Sequence, residues 1–245
     1  MTAQMQPAPT RKDEAWRYAD LKAVEALWPP APARLISVPA GAAREEVVRV
    51  QDGGIHDLRV ELAEGARLNL VLLVQSDSYA RVSVLAHLKA GAHFDLGGIL
   101  LGAGAATQEI VTDVRHDEPG AESRQRIRLV LDERATGTYL GRIAVARDAQ
   151  QTDAEQSARA LVLKRTATAN LKPELEIFAD DVKCAHGCTV GELDKAALFY
   201  LESRGIPLAE ARALLTRAFV ADALSGLSDS EALEAETAEW LGART

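Results

Sequence analysis

From Arg34 onward the apolar residues come in short runs: LISV, EVVRV, LRVEL, RLNLVLLV, YARVSVLAHL, HFDLGGILL, EIVTDV, RQRIRLVL, TYLGRIAV, ARALVL and ELEIF. Most are broken by a glycine or an acidic turn, and many alternate apolar with polar residues, the period of a strand with one buried face. Little room is left for helices between them. One segment repeats: Gly65-Ala66-Arg67-Leu68-Asn69-Leu70 is echoed by Gly91-Ala92-His93-Phe94-Asp95-Leu96, 26 residues further on. That spacing is about one coil of a β-solenoid. The pattern predicts a mainly β protein built as a parallel β-helix, with a β-sandwich as the alternative.

The flanks have a different rhythm. Residues 1 to 12, rich in Pro and Gln, read as a disordered lead, after which Thr10 or Asp13 is placed to cap a helix running to Leu27, where Trp28-Pro29-Pro30 stops it. Trp16, Ala19, Ala23 and Leu27 form its apolar face. Trp16 and Tyr18 read as anchors of this helix on the body rather than as an aromatic binding site. Beyond Asp194 the period is helical again. Asp194 caps a helix through Arg204, with Leu198, Phe199 and Leu201 apolar and Gly205 as its stop. Pro207 opens a second helix carrying Leu208, Ala211, Leu215, Ala218 and Phe219, which Gly226 ends. Ser228 and Glu231 have capping-box spacing for a third, with Leu233, Thr237, Trp240 and Leu241 on one side. These three helices are expected to cap the open end of the solenoid or to serve as a docking surface. The organisation expected is thus a lead and helix over 1–33, a β-helix core over 34–193 and a helical subdomain over 194–245.

Composition narrows the function. The 245 residues carry a net charge of -8, the wrong sign for neutralising phosphates, so nucleic acid is not an expected partner. The most apolar runs, such as Leu68 to Val74, are far too short to span a bilayer, and MTAQMQPAPTRKDEAW has no apolar core of signal-peptide length. A cytoplasmic protein without membrane contact is expected. Two cysteines make no disulfide framework and remain thiols for metal or redox work. No GxxxxGK[ST] loop is present, so ATP hydrolysis is not expected of this chain.

The chemistry concentrates in NLKPELEIFADDVKCAHGCTVGELD, Asn170 to Asp194. If Val182 to Cys188 is extended, Cys184, His186 and Cys188 share one face while Lys183, Ala185 and Gly187 take the other. Residues two apart on a strand stand about 6.5 Å apart, and Cys184 and Cys188 about 13 Å apart, far beyond the roughly 7 Å limit of a disulfide. A zinc site from Cys184, His186 and Cys188 needs a fourth ligand and a chain reversal at Gly187. Asp180 and Asp181 read as solvated or capping. His56, His87, His93 and His116 lack ligand-like spacing and read as surface or turn residues. Arg124, Arg126 and Arg128 read as a solvated strand face.

The run KPELEIFADDVKCAHGCTVG, followed by LFYLESRGI and an Ala/Leu helix ending in AF, resembles the C-terminal part of the SufD side of the SufB/SufD family of iron-sulfur assembly proteins. EAWRYADL, Glu14 to Leu21, is a weaker echo of the family's N-terminal helix. The resemblance implies a right-handed β-helix and a non-catalytic scaffold. It also implies a SufB-like partner, a SufC-like ATPase gripped by the C-terminal helices, and a homodimer when the chain is alone. His186 matches the histidine implicated in the nascent cluster site at the subunit interface, and Cys184 its neighbouring cysteine. The cofactor implied is a transient iron-sulfur cluster shared with the partner. His186-Gly187 stands where the SufB side carries His-Glu, and Cys188 where the family usually shows Ala. The chain is also shorter than the family members, which implies fewer coils. Outside the family, the competing readings are a stand-alone zinc-binding solenoid and a polysaccharide-acting solenoid enzyme. Only 4% of the residues are aromatic, few platforms on which a sugar could stack.

Overall fold

Each apolar run becomes a strand whose alternate side chains enter a shared interior. In the computed structural model, which describes residues 7–242, there are twelve: β1 (Arg34–Val38), β2 (Ala43–Val50), β3 (Gly54–Leu62), β4 (Arg67–Val74), β5 (Ala80–Leu88), β6 (His93–Gly102), β7 (Thr107–His116), β8 (Glu122–Leu131), β9 (Thr136–Val145), β10 (Asp153–Val162), β11 (Thr168–Ile177) and β12 (Lys183–Gly191). Odd-numbered strands stack in order into one six-stranded sheet and even-numbered strands into another. Every pairing is parallel. The chain is therefore a β-solenoid, and the sandwich alternative is set aside. The echo lies in register, with Arg67 beside His93 and Leu70 beside Leu96. Between the sheets Leu68, Leu70, Leu72, Val82, Val84, Phe94, Leu96, Ile110, Ile127 and Leu129 form a continuous core.

One corner of the coils is built the same way each time. Gly41, Gly65, Gly91 and Gly120 have positive φ, and each donates its N–H to a carbonyl of the following coil: those of Glu64, Ala90, Pro119 and Gln150. At the last such corner Gln151 takes the left-handed conformation (φ 62°) and donates to the carbonyl of Asp181. Glycine adopts this geometry without a Cβ penalty, which is why it punctuates the strands.

The N-terminal segment departs from expectation. Instead of one helix from Thr10 or Asp13, a 3-10 turn over Glu14–Trp16 is followed by α1 (Leu21–Leu27). The cap is Asp20, whose carboxylate accepts from the N–H groups of Lys22 and Ala23. An Asp at this position satisfies two orphan donors and restarts the helix there. Thr10 and Asp13 hydrogen-bond each other instead. Trp16 does anchor the segment, its ring lying 3.8 Å from the Arg81 guanidinium, but Tyr18 is exposed. Of the expected disordered lead, residues 1–6 fall outside the described residues.

The C-terminal helices α2 (Lys195–Ser203), α3 (Leu208–Ala221) and α4 (Glu231–Gly242) form no lid over the end of the solenoid. Val220, Ala223, Leu224, Leu233, Trp240 and Leu241 instead pack on the outer face of the even-numbered sheet, against Val71, Leu73, Ile99, Leu101 and Val130. The reason is in the strands: LVLLV and GILL are apolar on both faces, so their outer side needs cover. Asp194 caps α2 as expected, accepting from the N–H of Ala196 at 2.8 Å, and Gly205 follows at φ 86°. Phe199, expected on the apolar side of α2, is 73% exposed, and Leu208 of α3 is exposed too. Ser228 turns its hydroxyl to Glu45 rather than capping α4. Arg128 lies on the outer face as predicted but is buried, not solvated, because the tail covers it. It pairs with Asp222 and donates to the carbonyls of Ile127 and Ser157. His116 is likewise a core residue, bonded to Ser123 Oγ at 2.9 Å.

Candidate functional site

The stretch with the cysteines forms β12, the last strand of the even-numbered sheet. Among the described residues only one of its edges is paired, to β10, with Cys184 beside Ala154, His186 beside Gln156 and Cys188 beside Ala158. Ala154, Gln156 and Ala158 all point into the core, so the alternation carries Cys184, His186 and Cys188 to the mouth of the solenoid. Cys184 packs against a small cluster around Ile143, Val145 and Ala154. Cys188 packs against the main core. His186, between them, is exposed. The predicted sharing of one face is thus observed.

The strand runs unbroken through Gly187, so the reversal needed for a zinc site from Cys184, His186 and Cys188 does not occur. Among the described residues no group of three or more His, Cys, Asp or Glu could hold a metal ion. Asp180 and Asp181 are exposed, as expected.

Both thiols are half-buried and free, and burial pushes both up from the ordinary thiol range. For Cys184 the nearby Asp153 carboxylate adds to this, against a hydrogen bond from the Ala154 backbone. For Cys188 burial outweighs a hydrogen bond from the Ala158 backbone. Thiols raised in this way are protonated at neutral pH, and an incoming metal must displace the proton.

Beneath the mouth lies a polar cluster that the sequence reading missed. Thr112 Oγ1 donates to Gln125 Oε1 at 2.8 Å, Tyr139 Oη donates to the same oxygen at 3.2 Å, and Gln156 Nε2 donates to Tyr139 Oη at 2.7 Å. All four side chains are buried. Burial is the main cause that pushes the Tyr139 phenol above its ordinary value. Gly141 makes the room, since a Cβ there would overlap Gln156 Nε2 and Tyr139 Oη. The signal available in the sequence was Gln125 and Gln156 at inward positions of strands whose other inward residues are mostly small or apolar.

Residues 41–219 match the family model described as SUF system FeS cluster assembly, SufBD core domain. The chain is 36% identical over 133 residues to the iron-sulfur cluster assembly protein SufD of Escherichia coli (strain K12), a match covering 54% of this chain and 31% of that protein. It is 38% identical over 122 residues to an iron-sulfur cluster assembly SufBD family protein of Synechocystis, covering 50% and 27%. Against the iron-sulfur cluster assembly protein SufD of Bacillus subtilis (strain 168) it is 31% identical over 137 residues, covering 56% and 31%. The matches span less than a third of the length of these curated relatives.

Proposed function

Since the chain belongs to the SufBD family of SUF-system iron-sulfur cluster assembly proteins, we propose that it is a cytoplasmic, non-catalytic scaffold subunit. It pairs with a SufB-like subunit, and the two share a nascent-cluster site at the mouth of the solenoid. His186 and Cys184 are its ligands, and the cluster is transient cargo. The observation that carries this reading is the placement of Cys184 and the exposed His186 on an edge strand whose second side is unpaired. An iron-sulfur cluster takes four protein ligands, and two cysteines in the whole chain cannot supply four thiolates. A second subunit adding a strand to β12 would bring the missing ligands and satisfy the free backbone groups together. Without that partner, the same edge pairs with a second copy of the chain.

The C-terminal helices dock a SufC-like ATPase, which supplies the hydrolysis this chain has no loop for. The exposed Phe199 and Tyr200 of α2 support this assignment, because large aromatics held in water mark contact surfaces.

The test is His186→Ala in two assays. The free protein should unfold within about 1 kcal/mol of wild type, as exposed substitutions do. Cluster reconstitution on the complex with the SufB-like subunit should fall sharply. Unimpaired reconstitution sinks the ligand role.

A further inference from the structure

We propose that the two mouths of the solenoid are unlike by construction: a clasp of Arg34, Glu46 and Arg44 bars stacking on the first coil, so that a second copy of this chain joins only at the mouth formed by β11 and β12. Self-association is thereby limited to a closed pair, without head-to-tail fibres.

The need for such a device lies in the fold. β1 and β2 end their sheets at one end of the stack as β11 and β12 do at the other, with no further strand beside them among the described residues. The neighbouring pairings are parallel, so a copy laid with its β1 and β2 against β11 and β12 would continue both sheets in the same sense. A contact of that kind is heterologous and propagates. Solenoids stay soluble by protecting an end against it, and inward-pointing charge is one means.

The clasp occupies inward positions. Arg34 is in register with Leu58, Arg44 with Leu68 and Glu46 with Leu70, three residues of the main core. The rest of the first coil keeps the apolar rule, with Ile36, Val38 and Val50 buried. The Glu46 carboxylate accepts from Arg44 Nε at 3.0 Å within its own sheet and from Arg34 of the opposite sheet. Charge thus ties the two sheets together at this end. Burial pushes the Glu46 carboxyl up, but the hydrogen bonds from Arg44 and Arg34 outweigh it and hold the group below the usual carboxylate range. The Glu46 side chain is 13% exposed, whereas those of Arg34 and Arg44 are 52% and 42% exposed. Water solvates the two cations, and a stacked coil would remove that water.

The far mouth offers no compensation. Followed from coil to coil, the column of Arg34 ends at Pro173, that of Arg44 at Cys184 and that of Glu46 at His186. A copy stacked in continuing register would set two guanidiniums and one carboxylate on these three residues, none of which is an acid. Desolvating a triad with excess positive charge costs more than its ion pairs return. The β11 and β12 mouth carries no such clasp: Ala169, Leu171 and Cys188 pack against the main core, and Leu175 and Cys184 against a smaller one. Neither the clasp nor its test depends on the iron-sulfur reading.

The experiment replaces Arg34, Arg44 and Glu46 together by Leu in the full chain and follows mass by light scattering across a wide range of concentration, with electron microscopy of the largest species. Wild type should stay at or below twice the chain mass. The triple variant should pass that limit and lengthen into rods as concentration rises. Adding Leu171→Lys, which places a charge at the opposite mouth, should return it to single chains. The same three positions changed to Thr lose the charge without the apolar load, and serve if the Leu variant does not fold; the same growth is expected. A folded triple variant that keeps the wild-type mass overturns the proposal. So do rods of wild-type protein, or particles of the triple variant that Leu171→Lys does not shrink.

Discussion

Gly97 and Ala223 hold the helical tail against the solenoid at backbone distance: a Cβ placed on Gly97, on the outer face of β6, would collide with the carbonyl oxygen of Ala223. Gly97→Val should therefore lift the tail off Val71 and Ile99. Overpacking of this kind costs about 1–3 kcal/mol. Urea unfolding should show the loss, and an unchanged midpoint would mean that the tail is not seated there.

On the opposite sheet, Arg81 and Glu109 form a fully buried ion pair at 2.9 Å. Tyr79 Oη donates to the same carboxylate at 2.7 Å, and Trp16 covers Arg81. Breaking such a pair from one side strands a charge, so Glu109→Gln should cost about 3–5 kcal/mol. Replacing both partners by apolar residues, Arg81→Met with Glu109→Leu, should recover most of that loss. Chemical denaturation of the single and double variants decides the matter; a double variant as unstable as the single one contradicts this account.

Acid sensitivity should trace to His116. Burial lowers its pKa from 6.5 to about 4, so in the pH range between these values the unfolded chain binds a proton that the folded chain refuses. The stability contribution is intact above pH 6.5 and disappears as pH falls toward 4. It amounts to roughly 3 kcal/mol at 1.36 kcal/mol per unit. Measured from pH 7 to pH 4, wild type should lose that much more stability than His116→Gln. A constant difference between the two proteins would refute the assignment.

On the proposed docking of a SufC-like ATPase, binding should depend on the two aromatics of α2. Phe199→Ser with Tyr200→Ser removes side chains 73% and 57% exposed, and should leave the folded state within about 0.5 kcal/mol of wild type. Binding of the SufC-like subunit, read by calorimetry, should weaken at least tenfold. Unchanged affinity would move the contact elsewhere.

The solenoid was legible because inward positions such as Leu68, Leu70 and Leu72 alternate and their repeat is kept from coil to coil. The site face was legible for the same reason, since period two alone puts Cys184 and His186 together. What the alternation hides is a second layer. Val71, Leu73 and Ile99 made their strands apolar throughout, which signalled a covered outer face without saying which segment covers it. The burial of Arg128 depends on the tail around Asp222, distant in sequence, so its local surroundings gave no warning, whereas His116 follows Val114 in the inward phase of β7, a signal the alternation did carry. Gln156 and Tyr139 were passed over because a single polar residue in a strand reads as outward-facing until the register is known. The break at Asp20 was there to be read, since an Asp before Leu21 is as good a cap as Asp13.

The corner that repeats as Gly41, Gly65, Gly91, Gly120 and then Gln151 ties each coil to the one after it, and the final coil has no successor. Among the described residues β11 pairs with β9 alone and β12 with β10 alone. In a stack held together by nearest neighbours, the end member has half the attachments of an interior one and frays first. The thiols and imidazole thus sit on the segment whose amides should exchange fastest with solvent among the strands of that end. An incoming subunit that extends the stack would turn the fraying coil into an interior one, so that assembly itself would anneal the segment that carries Cys184 and His186.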